Sequence, residues 1–168
     1  MVRVVRVTEF GPPSVLVPGS RPTPSPGAGE ALVEVAVAPV LLLDAQLRSG
    51  WGRESFPVTP PYVPGMGVAG HVSAVGDGVA ASWAGRPAVA DTVFGGYASA
   101  ALVPASALVP VPPGVPLPEA AALLHDGRTA MRLLSVHPVR PGSRVLITGA
   151  AGRWGCCWCN WRTRRVAR

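Results

Sequence analysis

The stretch Ser143–Gly155, SRVLITGAAGRWG, limits what this chain can fold into more than any other. Its run from Arg144 to Thr148 predicts a buried strand, and the glycines at 149, 152 and 155 predict a tight turn behind it. A buried strand entering a glycine turn and then a helix is the first step of a dinucleotide-holding βα unit. Glycines let the backbone approach a pyrophosphate, and the helix start offers unpaired N–H groups and the positive end of its dipole. Parallel strands need neighbours on both sides and helices on both faces. With 13 residues after Gly155, Arg144 to Thr148 is expected to be partly orphaned, an exposed edge prone to aggregation.

At 168 residues the chain is about one domain and can bury a real core. The sequence contains no apolar run long enough to cross a bilayer and no signal-peptide pattern, so a cytoplasmic protein is expected. The formal charge of +6 invites a nucleic-acid reading, but its placement argues against one. Arg153, Arg162, Arg164, Arg165 and Arg168 crowd the last 16 residues, where no acidic residue occurs; the other 10 arginines face 9 acidic residues. A near-neutral body without a basic stripe is not a nucleic-acid surface.

Cys156, Cys157 and Cys159, with Trp154, Trp158 and Trp161, lie in the same tail. The cysteines have no second cluster and no nearby histidine, so they make a poor zinc site. A disulfide framework is not expected in a cytosolic chain.

Upstream, short strands dominate. Val2 to Val7 and Val15 to Val17 are β-rich, and Pro18 to Gly29 reads as a loop. Glu30 to Ala38 alternates, with Val33, Val35 and Val37 on one face. Leu42 to Ser49 reads as a short helix closed by Gly50, and Trp51 to Pro64 as a proline-rich surface loop. Gly65 to Val79 is a bent strand ending in a turn at Gly76-Asp77-Gly78. Pro87 to Phe94, Tyr97 to Val103 and Leu108 to Val111 complete the strands, a pattern that suggests a compact β-barrel. Then the character changes. Pro118-Glu119 opens a helix with body Ala120 to Leu124, and Arg128 to Val136 reads as a second helical stretch.

Five segments in this order resemble the medium-chain dehydrogenase/reductase superfamily, in its zinc-free quinone-oxidoreductase-like branch: DAQLRSG at Asp44 to Gly50, VPGMGVAGHVSAVGDGV at Val63 to Val79, Gly96-Tyr97-Ala98, EAAALLHDGRT at Glu119 to Thr129, and RPGSRVLITGAAG at Arg140 to Gly152. The resemblance covers residues 1 to about 152. It implies a mainly β chain with some α: a GroES-like β-barrel domain over residues 1–117, then linking helices and the first strand of an incomplete Rossmann domain over 118–152, with an aberrant tail over 153–168. It further implies an NADPH-dependent oxidoreductase that passes hydride to a quinone or an activated C=C or C=O substrate, in a family often homodimeric, with a small-molecule substrate and neither a nucleic-acid nor a membrane partner. Thr129, Gly149, Ala150, Ala151 and Gly152 are the cofactor-binding positions it implies.

Departures from the family pattern remove other candidates. Zinc-dependent relatives place a cysteine and a Gly-His-Glu motif where this chain has Val40 to Asp44 and Gly65-Met66-Gly67. A catalytic zinc needs three protein ligands, so no metal is expected. Leu41 stands where quinone reductases usually carry Asn, Gly67 stands where they carry Glu, and no catalytic side chain is assigned. Asp44 has two readings, a helix cap or a cleft-lining carboxylate. Thr129 has two as well, a residue near the nicotinamide or a helix-start hydroxyl. His125-Asp126 is an acid/base pair or a solvated turn, and His71 and His137 read as structural.

The tail has a different explanation. In GC-rich codons, Trp154 to Trp161 reads TGG GGC TGC TGC TGG TGC AAC TGG. Preceded by the last base of an arginine CGG, the shifted frame encodes V-G-L-L-L-V-Q-L, which matches the phosphate-turn helix of the family. A frameshift close to Gly152 is therefore expected. The alternative to an oxidoreductase is a non-catalytic GroES-like remnant of the shifted gene.

Overall fold

In the computed structural model, residues 1–138, 143–152 and 156–157 are described. β3 (Glu30–Val37) forms as its alternation predicts and lies inside the larger sheet. It pairs antiparallel with β4 (Gly67–Val75) on one side and β6 (Ala100–Pro104) on the other. Beyond β4 come β5 (Pro87–Asp91) and then β7 (Leu108–Pro110), giving a five-stranded sheet in the order β6-β3-β4-β5-β7. Its buried face is built from small and β-branched residues, among them Val33, Val68, Val72 and Val103, each 1% exposed or less. Branched side chains suit a pleated surface, and alanines at 31, 88, 90 and 101 fill the gaps between them.

Close approach explains one glycine in this sheet. A Cβ on Gly70 would collide with the Glu34 carbonyl across the β3–β4 ladder. That ladder is irregular at two points, between Leu32 and Val33 and between Val35 and Val37, so the strand is bent there.

A second sheet is the ribbon of β1 (Val2–Val7) and β2 (Leu16–Arg21). β2 differs from expectation. It follows a 3-10 turn at Pro13–Val15 and runs through Pro18 and Gly19 into the predicted loop. The ribbon explains this, because β2 pairs with β1 alone and a proline on an edge strand can face away from the ladder. Residues 97–99 stitch the ribbon to the larger sheet: Val5 N donates to Tyr97 O, Ser99 N to Arg3 O, and Val35 N to Ser99 O.

α1 (Leu42–Ser49) forms where the sequence places it, and Gly50 closes it at φ +88° in the left-handed region. α2 (Leu117–Val136) corrects the two-helix expectation. No proline separates the stretches, and one interior glycine, Gly127, costs only about 1 kcal/mol against alanine, so the helix continues through it.

The chain divides into two units, Met1–Ala121 and Ala122–Arg168. In the second, the expected strand Arg144 to Thr148 does not form: residues 143–147 belong to no ladder, and Leu146 is 88% exposed. A parallel strand gains its stability from neighbours, and no strand is described in this unit to supply one. Trp154, Gly155, Trp158, Cys159 and Trp161 lie outside the described residues.

Candidate active site

Asp44 is the most deeply buried carboxylate described, 5% exposed in the first turn of α1. Leu41, at the helix N-cap, has no polar side chain to satisfy the first turn. Asp44 does so from within the helix, its Oδ2 accepting the Leu41 N–H at 2.9 Å. Its Oδ1 accepts the Gly65 N–H at 3.2 Å, and the Tyr97 hydroxyl donates to Oδ2 at 3.3 Å. Capping and cleft-lining are therefore both true of Asp44, which lines a pocket of about 180 Å³. A buried carboxylate is tolerable because three donors replace the water it has lost.

The pocket lies wholly in the first unit. Arg48 stands one helical turn after Asp44, on the same face of α1. Its Nη1 donates to Gly11 O at 2.8 Å, and Gly11 N donates to Arg48 O at 2.9 Å, fixing the 3-10 region against the helix. Pro13 and Leu16 from that region, with Val40, Ala45 and Pro64, supply apolar walls. Tyr97 reaches the site because Gly95 turns at φ +97° and Gly96 packs against Gly65.

Burial pushes the Tyr97 phenol far above its ordinary value, and the neighbouring Asp44 charge and hydrogen bond add to this. Tyr62 is raised too, first by burial and then by Asp44, against an opposing effect from Arg48. Both phenols stay protonated at neutral pH, so they act as donors. Tyr62 also packs edge-on to Phe94 at 5.6 Å between ring centres.

Gly149, Ala150, Ala151 and Gly152 come together in one exposed turn, with Gly149 at φ +64° and Gly152 N donating to Gly149 O at 2.8 Å. Thr129 is mid-helix rather than at a helix start, and its hydroxyl donates to His125 O at 2.9 Å. His125 and Asp126 are consecutive in α2, where neighbours in sequence point roughly 100° apart and do not face each other. His71 is exposed on β4, opposite Glu34. Among the described residues no group of three or more His, Cys, Asp or Glu could hold a metal ion. Arg48 and Tyr97, which line the pocket with Asp44, were not among the expected site residues. The four-residue spacing of Asp44 and Arg48 on a predicted helix was the available signal for the first of them.

A mainly β domain with this strand order and a buried acid on its first helix defines a class. The alcohol dehydrogenase GroES-like domain family matches residues 27–113. This chain is 36% identical over 166 residues to a probable quinone oxidoreductase of Schizosaccharomyces pombe, an alignment covering 97% of this chain and 49% of that protein. It is similar to the native structure of a mycobacterial quinone oxidoreductase, with a TM-score of 0.86, 37% identity, and coverage of 98% of this chain and 50% of that one. It is also similar to the Escherichia coli quinone oxidoreductase complexed with NADPH, at TM-score 0.86, 28% identity, and coverage of 96% and 49%.

The chain belongs to the alcohol dehydrogenase GroES-like family, within the quinone-oxidoreductase-like medium-chain dehydrogenases/reductases. It spans about half the length of the curated relatives it matches. The aligned share of this chain reaches past residue 152, further than the sequence motifs extend.

Proposed function

We propose that this chain supplies the substrate-side domain of an NADPH-dependent oxidoreductase that reduces a quinone, an enone or a related carbonyl by hydride transfer. The observation that carries the reading is the Asp44–Arg48–Tyr97 pocket inside a GroES-like domain. When bound, the cofactor supplies the hydride. In this reading Gly149, Ala150, Ala151 and Gly152 meet its diphosphate and Thr129 lies near its nicotinamide. The turn suits a diphosphate: a Cβ on Gly149 would meet nothing within 4 Å, and all four residues are exposed, so their backbone can be approached.

The domain's own contribution is positioning and polarity. Asp44 is already engaged by three donors, so it fixes the pocket rather than abstracting a proton. Arg48 brings a permanent positive charge to one wall, where negative charge developing on a reduced carbonyl oxygen is stabilised. No metal takes part, the protein is cytoplasmic, the substrate is a small molecule rather than a nucleic acid or membrane, and two copies pair.

One observation favours a second reading, a non-catalytic GroES-like remnant. The segment before the glycine turn is unladdered, with Leu146 exposed. Titrating NADPH against the purified 168-residue chain by nicotinamide fluorescence separates the two. Micromolar binding supports the oxidoreductase, and no binding supports the remnant. Sequencing the DNA around codon 153 tests the shifted frame independently; an intact reading frame with no Rossmann codons downstream in any frame removes that explanation of the tail.

A further inference from the structure

Residues 143–147 run on without joining a ladder, and among the described residues no hydrogen bond reaches the backbone of residues 144–148. The segment is an open edge whose N–H and C=O groups are ready to pair. Its side chains alternate. Val145 and Ile147 are half-buried, whereas Arg144, Leu146 and Thr148 are exposed. One face therefore leans on the chain, and the other presents Leu146 between two polar residues. Gly149, at φ +64°, ends the run in a turn.

The order of residue types decides what fits this edge. It is symmetric about Leu146: polar, β-branched, leucine, β-branched, polar. Paired antiparallel with a second copy of itself about a twofold axis at Leu146, the segment sets Leu146 opposite Leu146. Each Val145 then lies opposite an Ile147, and each Arg144 opposite a Thr148. Apolar meets apolar, β-branched meets β-branched, and the guanidinium faces a hydroxyl, as a self-complementary twofold contact requires. A parallel, in-register pairing sets Arg144 against Arg144 instead, and like charges directly opposite are destabilising. Stable interfaces use roughly 20–30 residues a side. A five-residue contact is small, so its dissociation constant is on the order of 100 µM.

We propose that residues 144–148 form a homotypic interface, pairing antiparallel with the same segment of a second copy of this chain, with Leu146 on the twofold axis. This rests on the pairing of two copies proposed above and gives it a surface. Neither the cofactor nor the Asp44 pocket takes part.

The full chain is followed by sedimentation velocity between roughly 5 and 500 µM, a span that brackets such an affinity. The natural chain is expected to pass from monomer to dimer across it and to go no further. Leu146→Glu and Leu146→Lys each set like charges face to face and should weaken the dimer about tenfold. An equimolar mixture of the two variants should dimerise again, because opposite charges then meet across the axis; misfolding cannot produce that rescue. Thr148→Glu reads the strand direction. In the antiparallel register its carboxylate meets Arg144 of the second copy at both ends, and the dimer should tighten about fivefold, an effect that high salt removes. In a parallel register the new carboxylates face each other and the dimer weakens. A monomer at every concentration, growth beyond the dimer, no rescue in the mixture, or a weaker dimer in Thr148→Glu overturns the proposal. A dimer unchanged in Leu146→Glu also overturns it, while leaving two copies paired through another surface. Micromolar NADPH binding by a chain that stays monomeric sinks this interface and keeps the oxidoreductase reading.

Discussion

Tyr97 donates its hydroxyl to Asp44 Oδ2 across 53 residues of sequence, tying the segment before β6 to the first turn of α1. The same carboxylate holds the backbone at Leu41 and at Gly65, just before β4. One buried side chain thus joins three parts of the pocket wall, and its removal should be felt in all of them.

Asp44→Ala is expected to cost about 3 kcal/mol, since three donors lose a charged acceptor in a site that water does not freely enter. Asp44→Asn keeps one acceptor oxygen and should cost about half as much. Urea unfolding followed by tryptophan fluorescence measures both. A loss under about 1 kcal/mol for the alanine variant would show that water replaces the carboxylate, and that Asp44 does not organise the pocket.

The two tyrosines of the chain, Tyr62 and Tyr97, are both raised above the ordinary phenol value. In the unfolded chain they ionise near pH 10; in the folded chain they ionise higher. The unfolded state therefore loses its protons first, and stability is fully present below pH 10 and falls as pH rises toward the folded values. Absorbance at 295 nm reports tyrosinate from these two residues alone. It should stay low in the native protein at pH 10.5 and appear on adding guanidinium. Tyr97→Phe should flatten the alkaline loss of stability, and a native chain that titrates normally at pH 10 contradicts the buried arrangement.

The strands were legible where valines alternate, and α1 was legible because Gly50 ends it in a conformation that favours glycine. β2 was hidden by Pro18 and Gly19, which a sequence reading takes as a loop until the edge position of the strand is known. The break expected near Gly127 failed because helix packing and propensity outweigh one glycine. Arg144 to Thr148 has the composition of a buried strand, but composition does not supply neighbours. The pocket itself was mostly hidden. Asp44 and Arg48 share a helix face and were within reach of spacing arguments, whereas Tyr97 meets Asp44 only through the turns at Gly65 and Gly95.

Glycine substitutions separate crowding from backbone strain. Gly70→Ala places a methyl group against the Glu34 carbonyl, and both belong to backbone that cannot swing aside. We expect a cost above about 2 kcal/mol from overpacking of the β3–β4 ladder. Gly78→Ala meets nothing within 4 Å but forces alanine to φ +77°, costing about 1–2 kcal/mol. Chemical denaturation of the two variants should rank Gly70→Ala as the worse. The opposite order would mean that the ladder relaxes around the methyl group.

Leu146→Glu tests the unladdered segment directly. Leu146 is 88% exposed, so its side chain gains little from folding, and its replacement should change the urea midpoint by an amount equivalent to less than about 0.5 kcal/mol. The charge should also make the flat apolar run Val145-Leu146-Ile147 a poorer template for pairing with another chain, lowering the aggregated fraction seen by size-exclusion chromatography. A leucine packed inside a complete parallel sheet would behave differently. Burying an unpaired carboxylate in its place would cost several kcal/mol, so a large loss of stability would show that residues 143–147 are covered in solution and that the nucleotide-binding step is built.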